Sequence, residues 1–161
     1  MPPPANLTEL LATEIYPGID PFESKVIREF LRLYGYQFDR IEFDVKLGEG
    51  QAPPAGTPDV YAKMWSSLTR KRADVVCWAP GKRAVIVEAK WVFHLRDVGQ
   101  LIGYGELFKK QYPDWTAALV AICVVVDGDV QSVLGKYGAN LMRFDLPGDA
   151  VAAETAAANE P

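Results

Sequence analysis

The eight residues AVIVEAKW, 84–91, constrain this chain more than any other stretch. Ala84 to Val87 are small or branched and apolar, as in a strand inside a sheet. The same strand then carries Glu88 and Lys90, two residues apart, before the apolar run Trp91, Val92, Phe93. Alternate residues of a strand share a face, so the two charges point the same way, roughly 6–7 Å apart. A charge held where water is scarce must be paired or must bind a metal. A salt bridge and a metal site both satisfy that rule, and the neighbouring segments have to separate them.

The preceding segment RADVVCWAP, 72–80, reads as a strand that ends in a turn at Pro80, Gly81 and Lys82. A short hairpin pairs 74–78 with 84–88, which brings Asp74 beside Glu88. Two carboxylates and a backbone carbonyl, here that of Ala89, make a hard oxygen site suited to Mg²⁺, with Mn²⁺ as a substitute. A lysine beside such a site orients or deprotonates a water and stabilises charge developing on phosphorus. The plain alternative is Lys90 paired with one carboxylate.

A second oddity lies upstream. DPFESKVIREFLRLYG, 20–35, predicts a helix capped by Asp20, opened by Pro21 and closed by Gly35. Phe22, Val26, Phe30 and Leu33 fall on one face, and at about 100° per residue Glu23 sits inside that apolar face. Further along, residues 36–47 alternate as a strand with one wet face, and 48–57 form a Gly- and Pro-rich loop. TPDVYAKMWSSL predicts a short inserted helix, with Thr57 as cap and Pro58 in its first turn. DVGQLIGYGELFKKQY predicts a helix started by Asp97, AALVAICVVVDG (117–128) a fully buried strand, DVQSVLGKYG a short helix and NLMRFDL a last strand. The expected fold is therefore α/β, with helices flanking a central mixed sheet.

At 161 residues the chain suits one domain, expected over 1–146, with 147–161 as a flexible tail and 1–6 extended. Cys77 and Cys123 lie in apolar runs and read as reduced core residues, so a cytoplasmic compartment is expected. His94 is the only histidine, which argues against a structural zinc site and a Ser-His-Asp triad. No secretory signal and no apolar run of about 18 residues is present, so no membrane span is expected. The net charge of −4 is awkward for a nucleic-acid binder, although Arg70, Lys71, Arg72 and Lys82 flank the candidate strands. Those four are candidate DNA-backbone contacts or a solvated strand end.

Glu23, Asp74 and Glu88-Ala89-Lys90, in this order and with thirteen residues between Asp74 and Glu88, resemble the core of the PD-(D/E)XK nuclease superfamily. Its resolvase and RecB-like nuclease domains are the relevant members. The resemblance covers roughly 20–128 and implies a restriction-endonuclease-like three-layer sandwich. It also implies a Mg²⁺-dependent deoxyribonuclease in which Asp74, Glu88 and the Ala89 carbonyl bind metal, Glu23 completes the acidic site and Lys90 positions the attacking water. QLIGYGELF places Gln100 and Tyr104 at i and i+4, similar to the Q-x-x-x-Y element of exonuclease-type members. Gln100 would orient Lys90 or a phosphate, and Tyr104 would contact DNA or simply fill the core. The aspartate strand begins RAD rather than PD; the literal Pro58-Asp59 lies 29 residues before Glu88 and reads as the opening of the inserted helix.

What the resemblance implies for biology is a stand-alone phage, mobile-element or bacterial DNA-processing enzyme, with DNA as partner and a homodimer as an option. The rival expectation is a non-catalytic assembly protein of this fold, in a phage particle or a larger DNA-processing complex. Among other features, Gly99, Gly103 and Gly105 are expected to allow close packing of their helix on the sheet. Trp65 and Trp91 are expected to pack in the core, and His94 to serve a capping or surface role.

Overall fold

The computed structural model describes residues 6–126 and 128–146. The expected tail at 147–161 lies outside the described residues, as do residues 1–5 of the expected extended run 1–6; Asn6 is in a turn before the first helix. Among the described residues eleven elements occur in order: α1 (Leu7–Ala12), α2 (Pro21–Tyr34), a 3-10 turn (Gly35–Gln37), β1 (Arg40–Leu47), α3 (Asp59–Thr69), β2 (Lys71–Ala79), β3 (Arg83–Phe93), α4 (Leu95–Gln111), β4 (Thr116–Val126), α5 (Gly128–Lys136) and β5 (Asn140–Arg143).

The five strands form one sheet in the order β1-β2-β3-β4-β5. β1, β2 and β3 are a meander of antiparallel neighbours, and β4 and β5 add in parallel through the crossovers of α4 and α5. A parallel neighbour needs a crossover of a dozen or more residues, which α4 supplies. The sheet is thus mixed, as expected, and a core lies on each face. Ala84 and Ile86 of β3 pack with Leu101, Tyr104 and Phe108 of α4. Val87 and Ala89 pack on the other face with Val26, Ile27, Phe30 and Leu31 of α2. The buried β3 therefore reads as a continuous apolar run up to Glu88 because both its faces are covered.

Local signals set the helix ends. Asp20 Oδ1 accepts the N–H groups of Phe22 at 2.7 Å and Glu23 at 2.8 Å, so it caps α2 with Pro21 in the first turn. Asp97 lies inside the first turn of α4 rather than before it, and its Oδ2 accepts the backbone N–H of His94 at 2.7 Å. His94 is the N-cap residue, which matches its expected capping role. The cap expected of Thr57 is not made: α3 begins one residue later with Pro58 as N-cap, and Thr57 Oγ1 donates to Pro54 O. Residues 35–37 tighten into a 3-10 turn, so β1 starts at Arg40 and not at 36. Helix α1 was not expected from the sequence at all.

Strand β2 changes faces at Asp74. Ala73 packs on the α4 side while Val75, two residues on, packs on the α2 side. Along a regular strand the two would share a face. Facing this point on β1, Asp44 has a φ of 53°, in the left-handed region that Asp tolerates better than most residues. The β1–β2 register passes from Phe43↔Val75 to Val45↔Ala73 across it, and Asp74 sits at the turnover.

Candidate active site

β2 and β3 pair from Ala79↔Arg83 up to Val75↔Val87. One step further the strands part, and the Asp74 side chain takes over from the backbone: its Oδ2 accepts the N–H of Ala89 at 2.9 Å. In an extended strand a residue's N–H and C=O point to the same flank. The Ala89 carbonyl therefore faces the same notch as the Asp74 carboxylate. Glu88 lies beside it, 2% exposed, still paired on its other flank to β4 at Ala121.

Lys90 ties the notch to α2. Its Nζ donates to Glu23 Oε1 at 3.0 Å and stands 3.3 Å from Glu88 Oε1. Glu23 reaches this spot because Asp20 fixes the first turn of α2, and because it sits among the helix's inward residues. The four residues Glu23, Asp74, Glu88 and Lys90, far apart in sequence, thus meet at one place between two layers.

Glu88 Oε1 faces the ammonium, while Glu88 Oε2 is buried with no N–H donor beside it; its neighbour is the Asp74 carboxyl, to which it can bond only while the pair keeps a proton. Without that proton the oxygen is unsatisfied, which costs the full desolvation of the group and is rare in a settled core. Burial pushes the Glu88 carboxyl up to about 8, with Asp74 adding to the rise and Lys90 opposing it. Burial likewise pushes Glu23 up to about 7 against the pull of Lys90, and raises Asp74. Burial alone would lower Lys90; Glu88, Asp74 and Glu23 outweigh it and hold the ammonium above its usual range. One cation facing three carboxylates leaves an excess of negative charge in a dry notch, which is the electrostatic setting a divalent ion would relieve.

The donor set is lean. Among the described residues no three Asp, Glu, His or Cys side chains are grouped as a metal cage. Glu23 is turned to Lys90, which leaves Asp74, Glu88 and the Ala89 carbonyl. Such a set fits Mg²⁺, which is usually held by one or two carboxylates and keeps several waters.

The remaining sequence candidates divide. Tyr104 is buried in the α4 core, and burial together with the charges of Glu88 and Asp74 pushes its hydroxyl up to about 12. Gln100 is exposed and makes no hydrogen bond to Lys90 among the described residues; with Tyr104, Lys71 and Arg96 it lines a groove of about 630 Å³ on α4. Lys71 is exposed and available to a ligand in that groove. Arg70 is committed internally: one guanidinium nitrogen donates to Lys46 O and to Gln111 Oε1, both at 3.0 Å. Arg72 is paired with Asp44. Lys82 does not flank the site, because it sits in the hairpin turn, 3.7 Å from Asp114. Five residue steps separate Ala79, at that turn, from Asp74, roughly 17 Å along the strand. Asp59 is exposed at the start of α3.

One packing expectation changes. Trp65 is 41% exposed on α3, not in the core, whereas Trp91 is half-buried, beside the ring of Phe22, and packs against the α2-side core as expected. Gly105 is packed as expected, since a Cβ there would come within 2.9 Å of Leu119. Gly99 and Gly103 have open space where a Cβ would point, so packing does not account for them. Their i, i+4 spacing next to the Asp74–Glu88 strands was visible in the sequence, but whether they faced the sheet or solvent was not.

No protein-family model matches the chain, and no curated protein matches it. Among solved structures it is similar to a chain of an EndoMS–dsDNA complex, at 16% identity and TM-score 0.47, over 84% of this chain and 50% of that one. It is also similar to a repair endonuclease from Pyrococcus abyssi, at 15% identity and TM-score 0.46, over 84% and 50%. The chain spans about half the length of these solved chains.

Proposed function

We infer that this chain is a metal-dependent deoxyribonuclease that hydrolyses phosphodiester bonds in line, with Mg²⁺ as its ion and Mn²⁺ as a substitute. One observation carries the reading. Two carboxyls, half-buried Asp74 and buried Glu88, lie side by side with Glu88 Oε2 facing no N–H donor, and one ammonium stands 3.3 Å from Glu88 Oε1. A structural salt bridge would need one carboxylate, and a core would have little use for the others.

Asp74, Glu88 and the Ala89 carbonyl would hold the ion. When bound, the ion supplies Lewis-acid stabilisation to a phosphoryl oxygen and lowers the pKa of a water. Lys90 then donates to the attacking water and to the charge growing on phosphorus, at a position fixed by Glu23 and Glu88. Glu23 acts chiefly by holding that ammonium in place. Tyr104 and Gln100, on the groove side, with Lys71, would receive the substrate's phosphate backbone. The setting proposed for this activity is DNA processing in a phage, a mobile element or a bacterium.

A second reading has its own support. Arg70 and Arg72, two of the four candidate backbone contacts, are engaged within the chain, and the net charge of −4 opposes a polyanion. That favours a non-catalytic assembly protein on the same scaffold. Labelled linear duplex, single-stranded and four-way-junction DNA, incubated with Mg²⁺ or Mn²⁺ beside a Lys90→Ala variant, separates the two. Cleavage by the wild type that is lost in Lys90→Ala supports the nuclease. No cleavage on any substrate, with no thermal stabilisation by Mn²⁺, supports the assembly protein.

A further inference from the structure

Asp44 on β1 stands opposite Asp74 on β2, between the pairs Phe43↔Val75 and Val45↔Ala73. Neither strand keeps its face through this row. On β1, Ile41 and Phe43 pack on the α2 side, and Val45 and Leu47 on the α4 side. On β2, Val75 is on the α2 side and Ala73 on the α4 side. Both strands therefore roll over together with the register kept, so no extra residue is inserted as in a bulge. The roll has its source on β1. Asp44, at a φ of 53°, is in the left-handed region, and Asp74 is not. Alternation of faces needs an extended backbone at every residue, so one left-handed residue breaks it.

That conformation is enforced from outside the strand. Gly18, itself at a φ of 73°, lies so close that a Cβ there would come within 2.7 Å of Asp44 Cγ. Arg72 is ion-paired with the Asp44 carboxylate. Next to Asp44, the ring of Phe43 stacks on Tyr16 at 4.5 Å, and the Tyr16 N–H donates to Ser24 Oγ of α2 at 3.1 Å. A non-glycine residue in this region costs energy and persists only where its surroundings fix it, as is common beside active sites. Asp tolerates it far better than a β-branched residue does.

We propose that Asp44 is a positioning residue for the notch: its left-handed backbone rolls the β1–β2 pair so that the Asp74 carboxylate lies along the sheet, on the Ala89 N–H. The side chain of a regular strand stands roughly perpendicular to the sheet, away from the neighbouring strand's backbone. Asp74 Oδ2 does reach that backbone, at 2.9 Å from the Ala89 nitrogen. Its place in the roll explains why. Counted from Val76, Asp74 belongs on the α4 side; counted from Ala73, it belongs on the α2 side. At the turnover it belongs to neither and points between the layers. Without the roll Asp74 would stand on the α4 side, as Val76 does, and the oxygens of Asp74, Glu88 and Ala89 would no longer converge. The proposal rests on the nuclease reading for the use of the notch, and on the fold alone for its geometry.

Amide hydrogen exchange on the metal-free full chain reads the Ala89 N–H directly, and thermal shift with Mn²⁺ reads the notch. Asp44→Val should speed exchange at Ala89 about tenfold or more relative to Ile86 in the same strand, and weaken Mn²⁺ binding by a similar factor. The Ile86 reference separates local opening from a general loss of stability. Asp44→Ala, a milder misfit, should move both the same way by less. Asp44→Gly and Asp44→Asn accept a left-handed φ and should leave both within about twofold of wild type. An Ala89 as protected in Asp44→Val and Asp44→Ala as in wild type overturns the proposal. Loss of protection in Asp44→Gly and Asp44→Asn also overturns it, because the carboxylate and its pair with Arg72 would then be what matters. DNA cleavage by the wild type with Ala89 still protected in Asp44→Val overturns the proposal and leaves the nuclease reading standing. The expected exchange pattern in a protein that cleaves no DNA supports the proposal and overturns that reading.

Discussion

Asp74 Oδ2 accepts the backbone N–H of Ala89 at 2.9 Å, where the β2–β3 ladder ends. A side chain replaces a backbone acceptor there, so the strands can part without leaving the Ala89 N–H bare. The gap that results is the notch into which the Ala89 carbonyl and the Glu88 carboxylate face. Backbone geometry and candidate chemistry are therefore set by the same residue.

The first expectation concerns Glu88. In metal-free protein at pH 8, Glu88→Gln removes a buried carboxyl whose Oε2 faces no N–H donor. The melting temperature should rise, or at least not fall. The same change should abolish stabilisation by Mn²⁺, which for the wild type reaches about 2.7 kcal/mol at a hundred times Kd. Thermal melts with EDTA and with Mn²⁺ measure both. A Glu88→Gln variant still stabilised by Mn²⁺ as strongly as wild type would place the ion elsewhere.

The pH dependence has a definite sign. Glu23 and Glu88 are raised in the folded chain to about 7 and about 8, chiefly by burial, from an ordinary value of 4.5. A raised acid binds more protons folded than unfolded, so its contribution to stability is fully present below 4.5 and is lost as pH rises through 7 and 8. Metal-free wild type should therefore lose stability between pH 5 and 8 more steeply than Glu88→Gln, by chemical denaturation at each pH. Parallel curves for the two proteins would mean that Glu88 titrates normally.

How much of this site was legible depends on the kind of relationship. Asp74 beside Glu88 came from counting across a short hairpin, because antiparallel register is arithmetic once the turn is placed. Glu23 came from helical periodicity, as a charge on an inward face. Both rest on local geometry. Lys82 misled because basic residues close to a strand in sequence can lie at its far end. Arg70 misled because its partners, Lys46 O and Gln111, are set by tertiary packing. The apolar residues of α3 were legible as a helical period, but a period does not say whether anything covers them. Thr57 is not the cap because the helix begins one residue later, with Pro58 as N-cap, which leaves Thr57 in the preceding turn with its hydroxyl donating to Pro54 O.

Among the described residues, Lys90 is the one cation set among Glu23, Glu88 and Asp74 in the notch. Removing it as Lys90→Met keeps much of the volume and leaves the carboxylates uncompensated. Breaking a buried pair in this way costs about 3 kcal/mol where the partners stay ionised. The loss should be large at pH 8 and smaller at pH 5, where Glu23 and Glu88 are mostly protonated. Urea unfolding at the two pH values measures the difference. An equal loss at both would show that the lysine stem's packing, not its charge, was responsible.

Gly99 and Gly103 test the groove on α4 separately from the carboxylates. Each should cost the helix about 1 kcal/mol relative to alanine, and neither has a neighbour that a Cβ would strike. Gly99→Ala and Gly103→Ala should therefore raise the melting temperature, while Gly105→Ala, which must displace the Leu119 methyls, should raise it less. If a phosphate backbone runs along this bare face, the two stabilising changes should also raise KM for DNA several-fold with kcat little altered. Stability and substrate affinity would then move in opposite directions in the same variants. Higher stability with KM unchanged would mean that the proposed DNA substrate reaches the notch from another side and that the two glycines do not line its path.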